Sequence, residues 1–159
     1  MYKGKYLLSV SDKDTALALR KAIPEFSNAG EDNCDLMAVY AVVYNEADNP
    51  SGCGRLFIDE DSHFRIDYLG VLPNERGKYI GDLIARMLLF RAQELNAASV
   101  YADVPRSTLR FFSRYGFKPV EASYTDVVKM AVANSEIRLE GTCSKGKSGA
   151  CGGNCDACE

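Results

Sequence analysis

The stretch Leu69-Gly70-Val71-Leu72-Pro73-Asn74-Glu75-Arg76-Gly77-Lys78-Tyr79-Ile80-Gly81-Asp82 decides how this chain is read. An apolar strand runs into a short polar turn, then a basic loop with two glycines, then a long amphipathic segment. The first N–H groups of a helix have no intrahelical acceptor, and its dipole favours negative charge there. A strand-loop-helix of this kind therefore suits a phosphate or pyrophosphate. Gly77 and Gly81 allow close backbone approach, while Arg76 and Lys78 add charge. Taken alone, an Arg-Gly-Lys at a helix start is more often a solvated basic turn. The surrounding elements carry the argument further.

Upstream, residues 6–10 read as a strand and 12–22 as a helix, with Ser11 or Asp12 as N-cap and Pro24 ending it. Residues 27–33 form a polar loop. The run 35–44 is β-branched and aromatic, 45–54 supplies a turn, and 55–59 forms a further strand. In 63–71, His63, Arg65 and Asp67 alternate with Phe64, Ile66 and Tyr68, and short turns between the three strands suggest an antiparallel meander. From 76 to 95 the period becomes helical, with Ile80, Leu83, Ile84, Met87 and Leu88 near one stripe. A strand at 99–104, a helix at 107–115 stopped by Gly116, and strands at 117–120 and 126–133 complete the order β-α-βββ-α-β-α-ββ. The fold class is mixed α/β (α+β), a mainly antiparallel sheet flanked by helices.

At 159 residues the chain suits one domain, assigned to 1–135, followed by a cysteine-rich tail at 136–159. A net charge of −3 argues against general nucleic-acid binding. No apolar run approaches the roughly 20 residues of a membrane span, so no membrane partner is expected and the default location is cytoplasmic. Cys34 and Cys53 lie in strand-like sequence, whereas Cys143, Cys151, Cys155 and Cys158 crowd the tail, the last three spaced C-x3-C-x2-C. Four thiolates so close have the spacing to hold zinc or an iron–sulfur cluster; the plainer readings are a disordered thiol-rich tail or cysteines that form disulfides on oxidation.

The loop at 76–82, its strand and helix, and the later Phe111-Phe112-Ser113-Arg114-Tyr115-Gly116-Phe117-Lys118 together resemble the GNAT superfamily of acetyl-CoA-dependent N-acetyltransferases. The family's loop follows R/Q-x-x-G-x-G/A; Arg76 and Gly81 match it, and Tyr79 replaces the middle glycine. The second segment resembles the family's F-Y-x-x-x-G-F. The resemblance spans about residues 6–132 and is strongest over 67–120. It implies that backbone groups of Leu69, Gly70 and Val71 pair with the pantetheine arm of acetyl-CoA like an added strand, and Gly70 suits a bulge that opens the cleft. It implies that amides of Arg76, Gly77, Lys78, Tyr79, Ile80, Gly81 and Asp82 hold the pyrophosphate. Tyr79 keeps its N–H but must adopt a conformation open to a side chain.

The implied reaction moves an acetyl group to a primary amine of a small molecule or peptide. Family members often place a tyrosine acid where this chain has Phe112, at the cofactor. Either the thiolate leaves without a protein acid, or water or Tyr115 substitutes, or the chain binds acetyl-CoA without turnover. For the base, Asp67 is the sequence candidate, because it shares strand parity with Leu69 and Val71; as a solvated or salt-bridged strand residue it would have a plainer role. His63 reads as a surface residue. Glu46, Asp48, Asp59, Glu60 and Asp61 gather on loops and would favour a cationic amine. A third reading, from the tail, is a metal- or redox-responsive protein. Homodimers are common in the family, so a homodimer is a further expectation.

Overall fold

The computed structural model of the chain describes residues 1–8 and 12–140. The described residues form one seven-stranded sheet with three α-helices. In chain order these are β1 (Lys3–Leu7), α1 (Lys13–Ala22), β2 (Val39–Tyr44), β3 (Pro50–Ile58), β4 (Phe64–Val71), α2 (Ile80–Glu94), β5 (Ser99–Pro105), α3 (Leu109–Ser113), β6 (Lys118–Pro119) and β7 (Val127–Ala133). The sheet runs β1-β2-β3-β4-β5-β7-β6, and all pairs are antiparallel except β4 with β5. The element order is the one expected from the sequence, and so is the fold class.

Side-chain alternation along the strands divides the core in two. On one face α1 packs Ala16 and Leu19 against Tyr40, Val42 and Cys53; on the other, α2 packs Ile80, Ile84, Leu88 and Ala92 against Ala41, Val43 and Leu56. Because β2 is covered on both faces, it reads as an unbroken apolar run. The folded body continues past residue 135, since Ile137 and Leu139 pack on the α2 core and the Arg138 amide donates to the Tyr115 carbonyl at 3.0 Å.

Several boundaries differ from expectation for local reasons. The first strand lies earlier, at Lys3–Leu7, where it pairs with β2 as an edge strand carrying Lys3 and Lys5. Residues 33–36 form a 3-10 helix instead of the start of a strand. Asp32 accepts from the Cys34 amide while the Asp35 carboxylate accepts from the Asp32 amide, a reciprocal cap that stops extension. Most instructive is β3, which begins at Pro50 inside the expected turn. Gly52 and Gly54 are strand residues that let α2 approach: a Cβ at Gly52 would stand 2.9 Å from Ile84 Cδ1, and one at Gly54 2.7 Å from Leu88 Cδ1. Glycines there mark close helix packing and not a bend.

Candidate active site

The site forms where β4 and β5 part. Their parallel pairing is confined to Phe64 with Val100 and Arg65 with Tyr101. Beyond Arg65 the strands diverge, leaving the second half of β4 paired only with β3. Within that half the register slips: Cys53 lies opposite Gly70 but Arg55 opposite Asp67, so β4 carries one extra residue. Tyr68, at φ +47°, holds the bulge. Gly70 does not carry it. Gly70 is instead where β4 passes beneath the turn after α1, and a Cβ there would stand 2.7 Å from Phe26.

The bulge reverses side-chain parity along β4. Leu69 and Val71 pack into the α2 core. Asp67 sits on the α1 face, where its carboxylate accepts from Arg55 Nε at 2.7 Å and Arg55 Nη2 at 2.6 Å. The shared face expected for Asp67, Leu69 and Val71 is therefore absent, because one inserted residue shifts a period of two.

At the far end of β4 the chain turns through Pro73–Glu75 to the basic loop. Gly77 at φ +76° and Tyr79 at φ +60° keep residues 76–79 out of the helix, so α2 begins at Ile80 and not at 76. Tyr79 thus takes the left-handed conformation that glycine adopts without strain. Among the described residues, none of the amides of Gly77, Lys78, Tyr79, Ile80, Gly81 and Asp82 has a hydrogen-bond acceptor; the first to donate is Leu83, to the Tyr79 carbonyl at 3.1 Å. A Cβ at Gly81 would point between Val71 of β4 and Phe111 of α3, 3.8 Å from each. This is a bare amide cradle at a positive helix end beside an open strand edge, which fits a pyrophosphate followed by an extended arm.

Charged side chains frame the cradle. Arg76 donates to the Val71 carbonyl at 3.1 Å and grips Glu25 at 2.7 and 2.9 Å, tying the turn after α1 to the end of β4. Lys78 pairs with Glu75 at 3.0 Å, and Glu75 also accepts from Asn45 at 2.8 Å. The Asn45 hydrogen bond, then Lys78, holds Glu75 below the usual carboxylate range. Asp82, in the first turn of α2, accepts from the Tyr115 hydroxyl at 2.5 Å. Burial, then Asp82, pushes the Tyr115 phenol up. Phe112 packs edge-on against Phe111 and Phe117, with ring centroids 5.4 and 5.5 Å away.

On the α1 side lies a buried ionic cluster that sequence reading missed. Arg55, 2% exposed, donates to Asp67, to Asp32 at 2.6 and 3.2 Å, and to Asp35 at 2.9 Å. Arg20 donates to Asp35 at 3.3 and 3.1 Å, and the Tyr40 hydroxyl donates to Asp35 as well. Both guanidiniums also cover the Tyr68 ring, at 4.3 Å for Arg20 and 4.8 Å for Arg55. Burial alone would raise the Asp35 pKa, but hydrogen bonds from Arg20, Tyr40 and the Asp32 amide hold it well below the ordinary aspartate value. Asp67 goes the other way, with burial raising its pKa against the pull of Arg55. The one sequence hint was Arg55 itself, a lone charge within an apolar strand.

Of the loop acids named from the sequence, Asp59 and Asp61 lie together beside His63, their side-chain ligand atoms within 4.8 Å of one another. Glu46 and Asp48 pair with the N-terminal amine and Lys3 at 2.7 and 2.9 Å, whereas Asp59 pairs with Arg65 at 2.6 Å. His63 stacks on Tyr101 at 4.7 Å. Cys143, Cys151, Cys155 and Cys158 lie outside the described residues. Among the described residues, no helix is long and apolar enough to cross a membrane.

The sequence pattern of the acetyltransferase (GNAT) family matches residues 11–117, more than half of the 159-residue chain. The chain belongs to the GNAT family. Solved structures share its fold at low identity. ElaA from Escherichia coli superposes with a TM-score of 0.68 at 22% identity, over 82% of this chain and 99% of that one. An acyl-CoA N-acyltransferase from Pseudomonas aeruginosa gives 0.70 at 18%, over 84% and 100%. The PaiA N-acetyltransferase from Thermoplasma acidophilum, solved in complex with coenzyme A, gives 0.58 at 14%, over 82% and 99%. As a GNAT protein the chain is an N-acyltransferase.

Proposed function

We propose that this GNAT protein transfers an acetyl group from acetyl-CoA to a primary amine of a small molecule or peptide. The observation that carries the reading is the set of amides at 77–82, bare of acceptors, at the end of a strand whose outer edge is open. The pyrophosphate is held there by the amides, with Lys78 close by, and the pantetheine arm runs along Leu69, Gly70 and Val71. Acetyl-CoA supplies a thioester carbonyl; the amine nitrogen bonds to its carbon, the carbon–sulfur bond breaks, and the coenzyme A thiolate departs and takes up the proton that the nitrogen loses.

The chain's own residues act on the amine side. Arg55 fixes the Asp67 carboxylate on the α1 face, where Asp67 side-chain exposure is 35% and that of Asp32 is 44%. The three carboxylates of Asp32, Asp35 and Asp67 face two guanidiniums, so the cluster presents excess negative charge to an incoming ammonium. Asp67, its pKa raised by burial, is the group proposed to accept the amine proton. No tyrosine acid is proposed: Phe112 has no proton to give, and the Tyr115 hydroxyl is committed to Asp82.

Two results follow. Acetyl-CoA at about 100 times its Kd stabilises the fold by roughly 3 kcal/mol, a rise of about 5–10 °C in Tm, and an amine panel releases free CoA. No thermal shift at millimolar acetyl-CoA sinks the reading, and a shift without CoA release across amines and peptides favours a binding module. The second result is that Asp67→Asn lowers kcat by about 100-fold with acetyl-CoA affinity retained; an unchanged kcat removes Asp67 from the chemistry.

A further inference from the structure

The structure points to Tyr79 as the platform on which the adenine of the cofactor stacks, an inference that rests on the acetyl-CoA reading. A tyrosine with φ +60° and ψ +17° occupies a left-handed backbone position, where every residue with a Cβ is strained relative to glycine. Its side chain contributes little to the core, because Tyr79 is 63% exposed. Packing of the ring does not offset that strain, and backbone outliers of this kind cluster at ligand contacts.

The surroundings name the ligand chemistry. Tyr79 borders a recess of about 280 Å³ that Tyr2, Lys78, Leu83 and Arg86 also line. The recess adjoins the amide cradle, because Lys78, Tyr79, Ile80 and Asp82 belong to both. Two aromatic rings and an apolar floor suit a flat base, and two cations suit a phosphate beside it. Each cation already has a carboxylate neighbour, Glu75 for Lys78 at 3.0 Å and Asp82 for Arg86 at 2.9 Å. The Nε–H of Arg86 is nevertheless buried and not aligned on any acceptor. A pyrophosphate on the amides therefore continues into a nucleoside carrying a further phosphate, the half of coenzyme A that pantetheine lacks. Tyr79 gives this half a contact that glycine at the same position cannot.

Calorimetric titration of wild type, Tyr79→Gly and Tyr79→Phe with acetyl-CoA, S-acetyl-4′-phosphopantetheine and adenosine 3′,5′-bisphosphate tests the assignment. Glycine suits the backbone at 79, so the Gly variant keeps the fold, which its melting temperature checks. Tyr79→Gly is expected to weaken acetyl-CoA and the bisphosphate by about tenfold or more, with acetylphosphopantetheine unchanged and Tyr79→Phe near wild type. Acetyl-CoA and the bisphosphate binding Tyr79→Gly as tightly as wild type overturns the platform and leaves the acetyl-CoA reading standing. Equal losses for acetyl-CoA and acetylphosphopantetheine also overturn it, by placing the effect in the cradle backbone that holds the phosphate. Wild type that binds none of the three overturns the acetyl-CoA reading and the platform with it.

Discussion

Asp35→Asn is expected to destabilise the fold by about 3–5 kcal/mol, lowering Tm by roughly 10 °C or more in thermal or urea denaturation. The reason is charge balance in a dry place. Asp35 is 2% exposed and meets both Arg20 and Arg55, each also 2% exposed. Removing its charge leaves two buried guanidiniums with Asp32 and Asp67, which are both partly solvated. Asparagine keeps the size and one acceptor oxygen, so the loss reads the charge and not a cavity. Acid should act in the same direction. The native pKa of Asp35 lies below its unfolded value, so its contribution is complete above about pH 4 and is lost as pH falls toward the native pKa. Wild type should therefore lose stability below that point, and Asp35→Asn should lose less over the same window. Equal acid sensitivity in the two proteins would move the effect to other carboxylates.

Gly81→Glu is expected to separate binding from stability, with opposite signs. A side chain at 81 starts in ordinary contact, 3.8 Å from Val71 and Phe111, so the fold accepts it. A carboxylate in the first turn of α2 also favours the helix dipole by about 0.3–1 kcal/mol. The same carboxylate stands where the amides of 77–82 would meet a pyrophosphate. Like charges so placed cost several kcal/mol, so the Kd for acetyl-CoA should rise by about 100-fold or more. The measurement is a titration beside a melting curve. A variant that melts at or above wild type and still binds acetyl-CoA normally would place the pyrophosphate elsewhere.

Much of this was legible because it is local. The basic loop, the alternation of residues 63–71 and the aromatic segment around Phe112 each speak through near neighbours, and together they indicate the order of elements and the cradle. What stayed hidden depends on contacts distant in sequence. Gly52 and Gly54 look like turn residues until Ile84 and Leu88 arrive above them. Asp32, Asp35, Arg20, Arg55 and Asp67 are ordinary charges spread across 48 positions, and only the crossing of α1, a 3-10 turn, β3 and β4 makes them one cluster. The parity of β4 was equally out of reach, since a regular alternating sequence gives no sign of the extra residue at Tyr68.

That extra residue has a wider consequence for how the protein can change. Past Tyr68 the strand is out of phase with its own beginning, so its two halves answer to different neighbours: Asp67 to Arg55 and the α1 side, Leu69 and Val71 to the α2 core. Under the proposed function, alterations suited to a new acceptor can accumulate around Asp67 without disturbing the packing beneath α2. One strand thereby carries two separately adjustable surfaces, which lets the proposed acceptor side drift while the proposed acyl-donor side stays constant.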